Sequence, residues 1–423
     1  MNIFESTFPN NFRSETIKQI LDNVLTGNFC QFVCIPGSGK ATILRLLAHN
    51  RNLLKFHLKD KEKSLRFIYL NFLELTSFEE SAITKFLLLT ITQKTPSISD
   101  PLALSKQLVE TVNKLSDEEQ TIVFLLDHFD EYQNRLPRAF FQMLKSIKTH
   151  SKYKFSVVFA TRRDLLDLLD EEIVKQYWDF FVGNTVYLNI FDENATEFLF
   201  EQIEKVFSKK LSRDQRLKIT KLSGGHAKLT KILTELVLGQ NEKLETETLL
   251  KNLQVKAVLL EIWLFLTSLE QHELYELAQN GQATNQTDEN LIRLDLIRQK
   301  GQSQVEFSIP IFEEFIKTMT QNVHHNISYN PQTREIQKGA SIISELLSAQ
   351  EYRLLKFLLQ NQGRIIERDE LISAVWPDIK ISEAISDEAI DQMVFRLRKK
   401  IEDEPAKPKY IQTVKGRGLK FEQ

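Results

Sequence analysis

The 423-residue sequence predicts an α/β chain: a doubly wound parallel-sheet domain with a helical lid, followed by two small α+β modules. Three observations predict it. An apolar strand-like run from Phe29 to Ile35 passes through a glycine-containing turn into a helical run from Ile43 to Ala48. Further runs of this kind, Phe67 to Phe72, Thr121 to Leu126 and Phe155 to Ala160, are separated by helical segments, the alternation a parallel sheet needs. The last stretch, Ser386 to Phe421, reads as an amphipathic helix, a Pro-punctuated loop and a short hairpin.

Composition narrows the function classes. With 42% hydrophobic and 26% charged residues the chain can bury several cores, and its length suggests about three domains. A formal net charge of -2 argues against steering of the whole molecule onto nucleic acid, so any such affinity is local. No apolar run approaches the roughly 18 residues of a membrane span. The start, MNIFESTFPNNF, has no signal-peptide pattern, so a cytoplasmic location without a membrane partner is expected. Cys30 and Cys34 are the only cysteines. On one strand their Cα atoms lie about 13 Å apart, too far for a disulfide.

The first strand leads into Pro36-Gly37-Ser38-Gly39-Lys40-Ala41-Thr42. Strand, glycine turn and helix form the setting of a phosphate-binding loop, in which backbone N–H groups and the helix N-terminus face the anion and the lysine neutralises it. The match to GxxxxGK[ST] is imperfect: Cys34 takes the first glycine position, and Ala41 replaces the hydroxyl that normally holds Mg²⁺. That loss should hurt chemistry more than binding. Asp127 ends the strand run TIVFLL, where a carboxylate can hold Mg²⁺. Asp130 and Glu131 follow as candidates to polarise a water, and Thr161-Arg162-Arg163 ends the next strand, with Arg162 as the candidate sensor of a γ-phosphate.

PGSGKAT, FLLDHFDE, VVFATRR and the lid stretch LSGGHAKLTKIL resemble the P-loop ATPases of the STAND and AAA+ type, over roughly residues 10–320. The DHFDE spacing is closer to NACHT-like members, and His128 stands where an AAA+ enzyme keeps its catalytic Glu. The resemblance implies ATP/ADP and Mg²⁺ as cofactors, and hydrolysis that is weak if present. It divides the front of the chain into an ATPase domain (1–190) and a helical lid (191–252). Gly224-Gly225-His226 interrupts the lid, and His226 is a candidate to approach the nucleotide.

Residues 253–321 run helix, helix, helix, strand, an order that fits a winged-helix-like module. Its outer face is not basic, so packing against the core is expected. Residues 322–340 are polar and unpatterned, a linker by composition.

In the last module (341–423), Ile390, Met393, Val394, Leu397 and Ile401 share one helical face. Gln392, Phe395, Arg396 and Lys399 point the other way, with Arg398 on the flank. Lys415-Gly416-Arg417-Gly418 turns the hairpin, with Lys415 and Arg417 at its tip. LSAQEYRLLKFL, RDELISAVW, RLRKKIED and YIQTVKGRG occur in order, and Leu347 to Phe421 resembles the OmpR/PhoB-type winged helix-turn-helix output domain of response regulators. That resemblance implies double-stranded DNA as partner, contacted by Gln392, Phe395, Arg396, Arg398, Lys399, Lys415 and Arg417. Two positions depart from it: Leu419 replaces a usual Tyr, and Phe395 is apolar where polar residues are common. Phe395 can pack on a thymine methyl, or this face can meet protein instead.

Three functional readings follow. The first is a transcriptional regulator whose winged helix is controlled by ATP binding, with self-association on ATP binding as one route. The second is an active ATPase acting on DNA in replication, transposition or phage defence. The third is a scaffold with a degenerate P-loop.

Overall fold

The computed structural model describes residues 4–75, 77–117, 120–131, 136–181, 183–240, 243–281, 289–300, 304–319, 327–331, 333–338, 341–376, 387–402, 405, 408–414 and 416–422. The chain divides into two units, Met1–Phe265 with Asn285–Phe315, and Leu266–Thr284 with Ile316–Gln423.

The first unit is built on five parallel strands, β1 (Cys30–Val33), β2 (Leu65–Asn71), β3 (Thr121–Asp127), β4 (Phe155–Thr161) and β5 (Thr185–Tyr187), in the order β2-β3-β4-β1-β5. The inner strands β1, β3 and β4 are buried along almost their whole length because both faces are covered, whereas the edge strands β2 and β5 are partly exposed. On β3, Ile122, Phe124 and Leu126 enter a core rich in phenylalanine, whereas Val123 and Leu125 enter an aliphatic core on the opposite face. Edge-to-face ring pairs such as Phe124–Phe155 and Phe72–Phe129 fill the first of these. This is the doubly wound arrangement that the alternation of runs predicts. Cys30 and Cys34 are buried and free, and desolvation pushes both thiols up to about 12.

Beyond β5 the chain forms the lid helices Glu193–Phe207, Arg213–Ser223 and Ala227–Gln240. Local chemistry sets their ends: Asp192 accepts from Ala195 N, Ser212 and Gln215 form a capping box, and Gly224 closes the second helix in the left-handed region. The helix Leu253–Phe265 belongs to this unit, as does the hairpin of β6 (Ile297–Lys300) and β7 (Gln304–Phe307). Residues 253–321, expected as one module, are therefore divided, because Leu266–Thr284 and the chain from Ile316 onward group with the second unit.

In the second unit, β8 (Ile327–Tyr329), β9 (Ile336–Lys338) and β10 (Ser341–Ile342) form an antiparallel sheet. The helices Ala349–Gln360, Arg368–Val375 and Asp387–Ile401 follow, and β11 (Ile365–Ile366), β12 (Ile411–Val414) and β13 (Gly418–Phe421) pair in the order β11-β13-β12. The linker expectation is corrected here. Ile327 and Ile336 are fully buried and share a core with Leu354, Leu355 and Leu358, so the supposed linker contributes two strands to this domain. Each of these strands is three residues long and turns only one isoleucine fully inward, too little for a period-two pattern to emerge from polar neighbours.

Candidate functional site

The glycine-containing loop from Pro36 to Gly39 sits between β1 and the helix Lys40–His49. Gly37 (φ 78°) and Gly39 (φ 102°) take left-handed conformations, which a tight turn between strand and helix requires. A Cβ at Gly39 would meet open space within 4 Å, whereas one at Gly37 would lie 2.8 Å from His226 Cε1, so the loop is open at Gly39 and packed on the lid at Gly37. Ser38 Oγ is buried with no hydrogen-bond partner among the described residues, as is Thr161 Oγ1 at the end of β4. Buried hydroxyls without partners fit a polar ligand at this place. Pro36 to Gly39 form the turn after β1, and Lys40, Ala41 and Thr42 open the helix that follows.

Beside the loop lies a cavity of about 310 Å³, lined by Ser38, Gly39 and Thr42 toward the loop and by Phe8, Phe12 and Phe198 toward the lid. The Phe8 and Phe198 ring centroids stand 4.5 Å apart and those of Phe8 and Phe12 5.0 Å apart. This aromatic wall escaped the reading of the sequence. Its signal is the recurrence of phenylalanine at positions 4, 8 and 12 in a segment otherwise mostly polar.

The carboxylates gather at the ends of β3 and β4. Lys40 Nζ is 3.1 Å from Asp130 Oδ1 and donates also to the Ala160 carbonyl at 3.2 Å. The other Asp130 oxygen accepts from Arg162 N at 3.0 Å and from Arg162 Nε at 2.7 Å. Burial by itself raises the Asp130 pKa, but Lys40 and Arg162 together outweigh it and hold the carboxyl below its ordinary value. Asp127 is fully buried at the end of β3. It accepts from Tyr69 Oη at 2.7 Å and from His128 N at 2.9 Å. Burial first, and then the Asp127 carboxylate, push the Tyr69 phenol well up, so it remains a neutral donor. His128 takes a left-handed backbone (φ 58°) and pairs with Glu131, Nδ1 to Oε1 at 3.1 Å. Asp127, Asp130, Glu131 and Arg162 therefore form one cluster next to Lys40, and Tyr69 is a member the sequence reading missed.

The C-terminal helix Asp387–Ile401 buries Ile390, Met393, Val394, Leu397 and Ile401 and exposes Gln392, Phe395, Arg396 and Lys399, as the periodicity predicts. Phe395 is 54% exposed, with Lys399 Nζ 4.6 Å from its ring centre. Arg398 is different. Its guanidinium turns back on β12, donating to Ile411 O through Nε (3.0 Å) and Nη2 (2.7 Å) and to Thr413 Oγ1 at 2.8 Å. It positions the hairpin against the helix. Arg417 is exposed in the hairpin turn, and Lys415 lies outside the described residues. Buried Glu402 accepts from the backbone N–H groups of Lys409, Tyr410 and Ile411, which anchors the start of the hairpin to the end of the helix.

Residues 344–421 match the family model "Transcriptional regulatory protein, C terminal". The chain is 40% identical over 76 residues to the sensory transduction protein RegX3 of Mycolicibacterium smegmatis, covering 18% of this chain and 32% of that protein. It is 39% identical over 77 residues to the alkaline phosphatase synthesis transcriptional regulatory protein PhoP of Bacillus subtilis, covering 18% and 31%. The chain thus spans about a third of the length of these curated relatives. Among solved structures it is similar to the Walker-type ATPase PABY2304 of Pyrococcus abyssi, with 14% identity, a TM-score of 0.48, and coverage of 72% of this chain and 95% of that one. Residues 344–421 are thus similar to the C-terminal domain of transcriptional regulatory proteins, in a chain whose other unit is built on a five-stranded parallel α/β sheet.

Proposed function

We propose that this chain is a DNA-binding regulator whose winged helix is controlled by nucleotide at the P-loop. The observation that carries the reading is the pairing, in one chain, of a regulatory-protein winged helix with a loop whose lysine, backbone and unpartnered Ser38 hydroxyl suit a phosphate chain. Lys40, the backbone of residues 37–40 and Thr42 hold the phosphates, and Phe8, Phe12 and Phe198 receive the base. Asp127 is the candidate ligand for Mg²⁺, which when bound offsets phosphate charge. Asp130 and Glu131 orient a water, and Arg162 answers to the outermost phosphate. With Ala41 in the hydroxyl position, binding is the main task and hydrolysis secondary. Gln392, Phe395, Arg396, Lys399, Lys415 and Arg417 face double-stranded DNA, Arg398 sets the hairpin in place, and self-association on ATP binding is one way for the two ends to communicate.

The test is selection of bound duplexes from a random pool, with and without ATP and Mg²⁺, alongside direct nucleotide binding. Enrichment of one sequence, with affinity or oligomeric state changed by ATP, supports the reading. Nucleotide binding that alters neither removes the coupling, and failure to retain any duplex at low salt leaves a scaffold. The cluster of Asp130, Glu131 and Arg162 around Lys40 favours a second reading, an ATPase acting on DNA. DNA-stimulated hydrolysis abolished by Lys40→Ala or Asp127→Ala would establish it.

A further inference from the structure

We infer that the Gly224-Gly225-His226 turn is a mechanical junction that ties the phosphate-binding loop to the β6–β7 hairpin, with His226 as its positioning residue; this rests on the reading that the loop binds nucleotide. His226 is fully buried, with Nε2 2.8 Å from Pro36 O and Nδ1 3.3 Å from the Leu229 amide nitrogen. The Leu229 N–H can only donate, so Nδ1 is the acceptor and Nε2 carries the proton that goes to Pro36 O. Desolvation pushes the imidazole down to about 4, so this neutral tautomer persists near neutral pH. Two residues further on, Lys228 N donates to Gly37 O at 3.1 Å. The lid thereby grips the two consecutive carbonyls that open the loop.

The two glycines make the other close approaches of the turn. At Gly225 (φ 82°) a Cβ would lie 2.8 Å from Phe191 Cδ2 and 2.9 Å from Phe191 Cα, and at Gly224 (φ 59°) it would lie 1.9 Å from Ser308 O. No other residue type fits either position without backbone movement. Ser308, just after β7, donates through Oγ to Asp295 Oδ1 at 3.1 Å. Asp295 in turn accepts from Ile190 N at 2.6 Å and binds Arg298 of β6 through both oxygens. Arg13 donates to the carbonyls of Asn189 and Ile190, closing the ring back toward the aromatic wall. Loop, turn, hairpin and the segment leaving β5 therefore touch in one closed circuit. Packed interiors pass displacement on rather than absorb it. A shift of Pro36–Gly37 on phosphate binding either breaks the His226 bond or moves the turn, and the turn cannot move without Ser308.

The test uses the full chain, with mant-ATP titration for affinity and hydrogen–deuterium exchange with and without AMP-PNP for the response. In the wild type, AMP-PNP is expected to change protection at least threefold in both 224–230 and 304–309. Compared at AMP-PNP concentrations that saturate each variant, His226→Ala loses the change in 304–309, while His226→Gln, whose amide can donate to Pro36 O, restores at least half of it. A hairpin response equal to wild type in His226→Ala overturns the inference. So does a wild type that binds mant-ATP with no response at 304–309, which leaves the nucleotide reading intact and does not depend on how the variants fold. No mant-ATP binding by the wild type removes both.

Discussion

Lys40, proposed above to neutralise phosphate, faces the Asp130 carboxylate at 3.1 Å. A triphosphate must compete with that carboxylate for the lysine while being repelled by it. Asp130→Asn is therefore expected to tighten triphosphate binding by roughly tenfold, a change of ~1.4 kcal/mol that two partly screened charges at this range can supply. Titration with mant-ATP measures it, and an unchanged affinity means that Asp130 does not compete. The same carboxyl links stability to acid. Its folded pKa is held below the ordinary 3.8, so the unfolded chain takes up the proton first as pH falls. The contribution is present above pH 3.8 and is lost as pH falls through the folded value; melting temperatures along an acid series should drop more steeply in the wild type than in Asp130→Asn. Much of this was legible beforehand, because Asp127 ends a recognisable strand run, Asp130 and Arg162 follow closely on such runs, and Lys40 opens a helix after a glycine turn. Tyr69 was not, since its role depends on β2 lying beside β3 with Asn71 opposite Asp127, a register no linear pattern contains.

Within the C-terminal helix, two arginines two residues apart do different work. Arg396 has a side chain 53% exposed, with a long 3.7 Å approach to Glu351, a pair worth little. Arg398 is half-buried and donates to β12. Arg398→Ala is expected to cost about 1.5–3 kcal/mol of unfolding free energy, the range for hydrogen bonds from charged groups. Arg396→Ala should stay within about 0.5 kcal/mol in stability and weaken duplex binding instead. Chemical denaturation paired with a gel-shift titration separates the two outcomes, and equal stability losses would refute the division of roles. The hairpin glycines divide similarly. A Cβ at Gly416 would meet open space, but at Gly418 (φ 132°) it would lie 2.0 Å from Ile366 O. Gly418→Ala should therefore destabilise the domain by more than about 2 kcal/mol and clearly more than Gly416→Ala, read as the difference in melting temperature. Helical periodicity reveals which residues face out, but not which outward cation a neighbouring strand captures.

For the whole chain, a net charge of -2 confines any DNA binding to the local basic face, and such binding is sensitive to salt. Replacing Arg396 and Lys399 together should lower the slope of log affinity against log salt by about 0.9 for each phosphate no longer neutralised. An unchanged slope in a salt series means that these residues do not meet the phosphate backbone. The amino-acid sequence alone determined the α/β class, the strand–loop–helix of the P-loop and the regulatory-protein winged helix, because these rest on local periodicity and short motifs. The division of residues 253–321 between two units, the recruitment of β8 and β9 into the C-terminal core and the close packing of the Gly224-Gly225-His226 turn were decided only in three dimensions. Each depends on burial and backbone approach between segments far apart in the chain, where one inward isoleucine or one missing Cβ carries the energy and leaves no repeating trace.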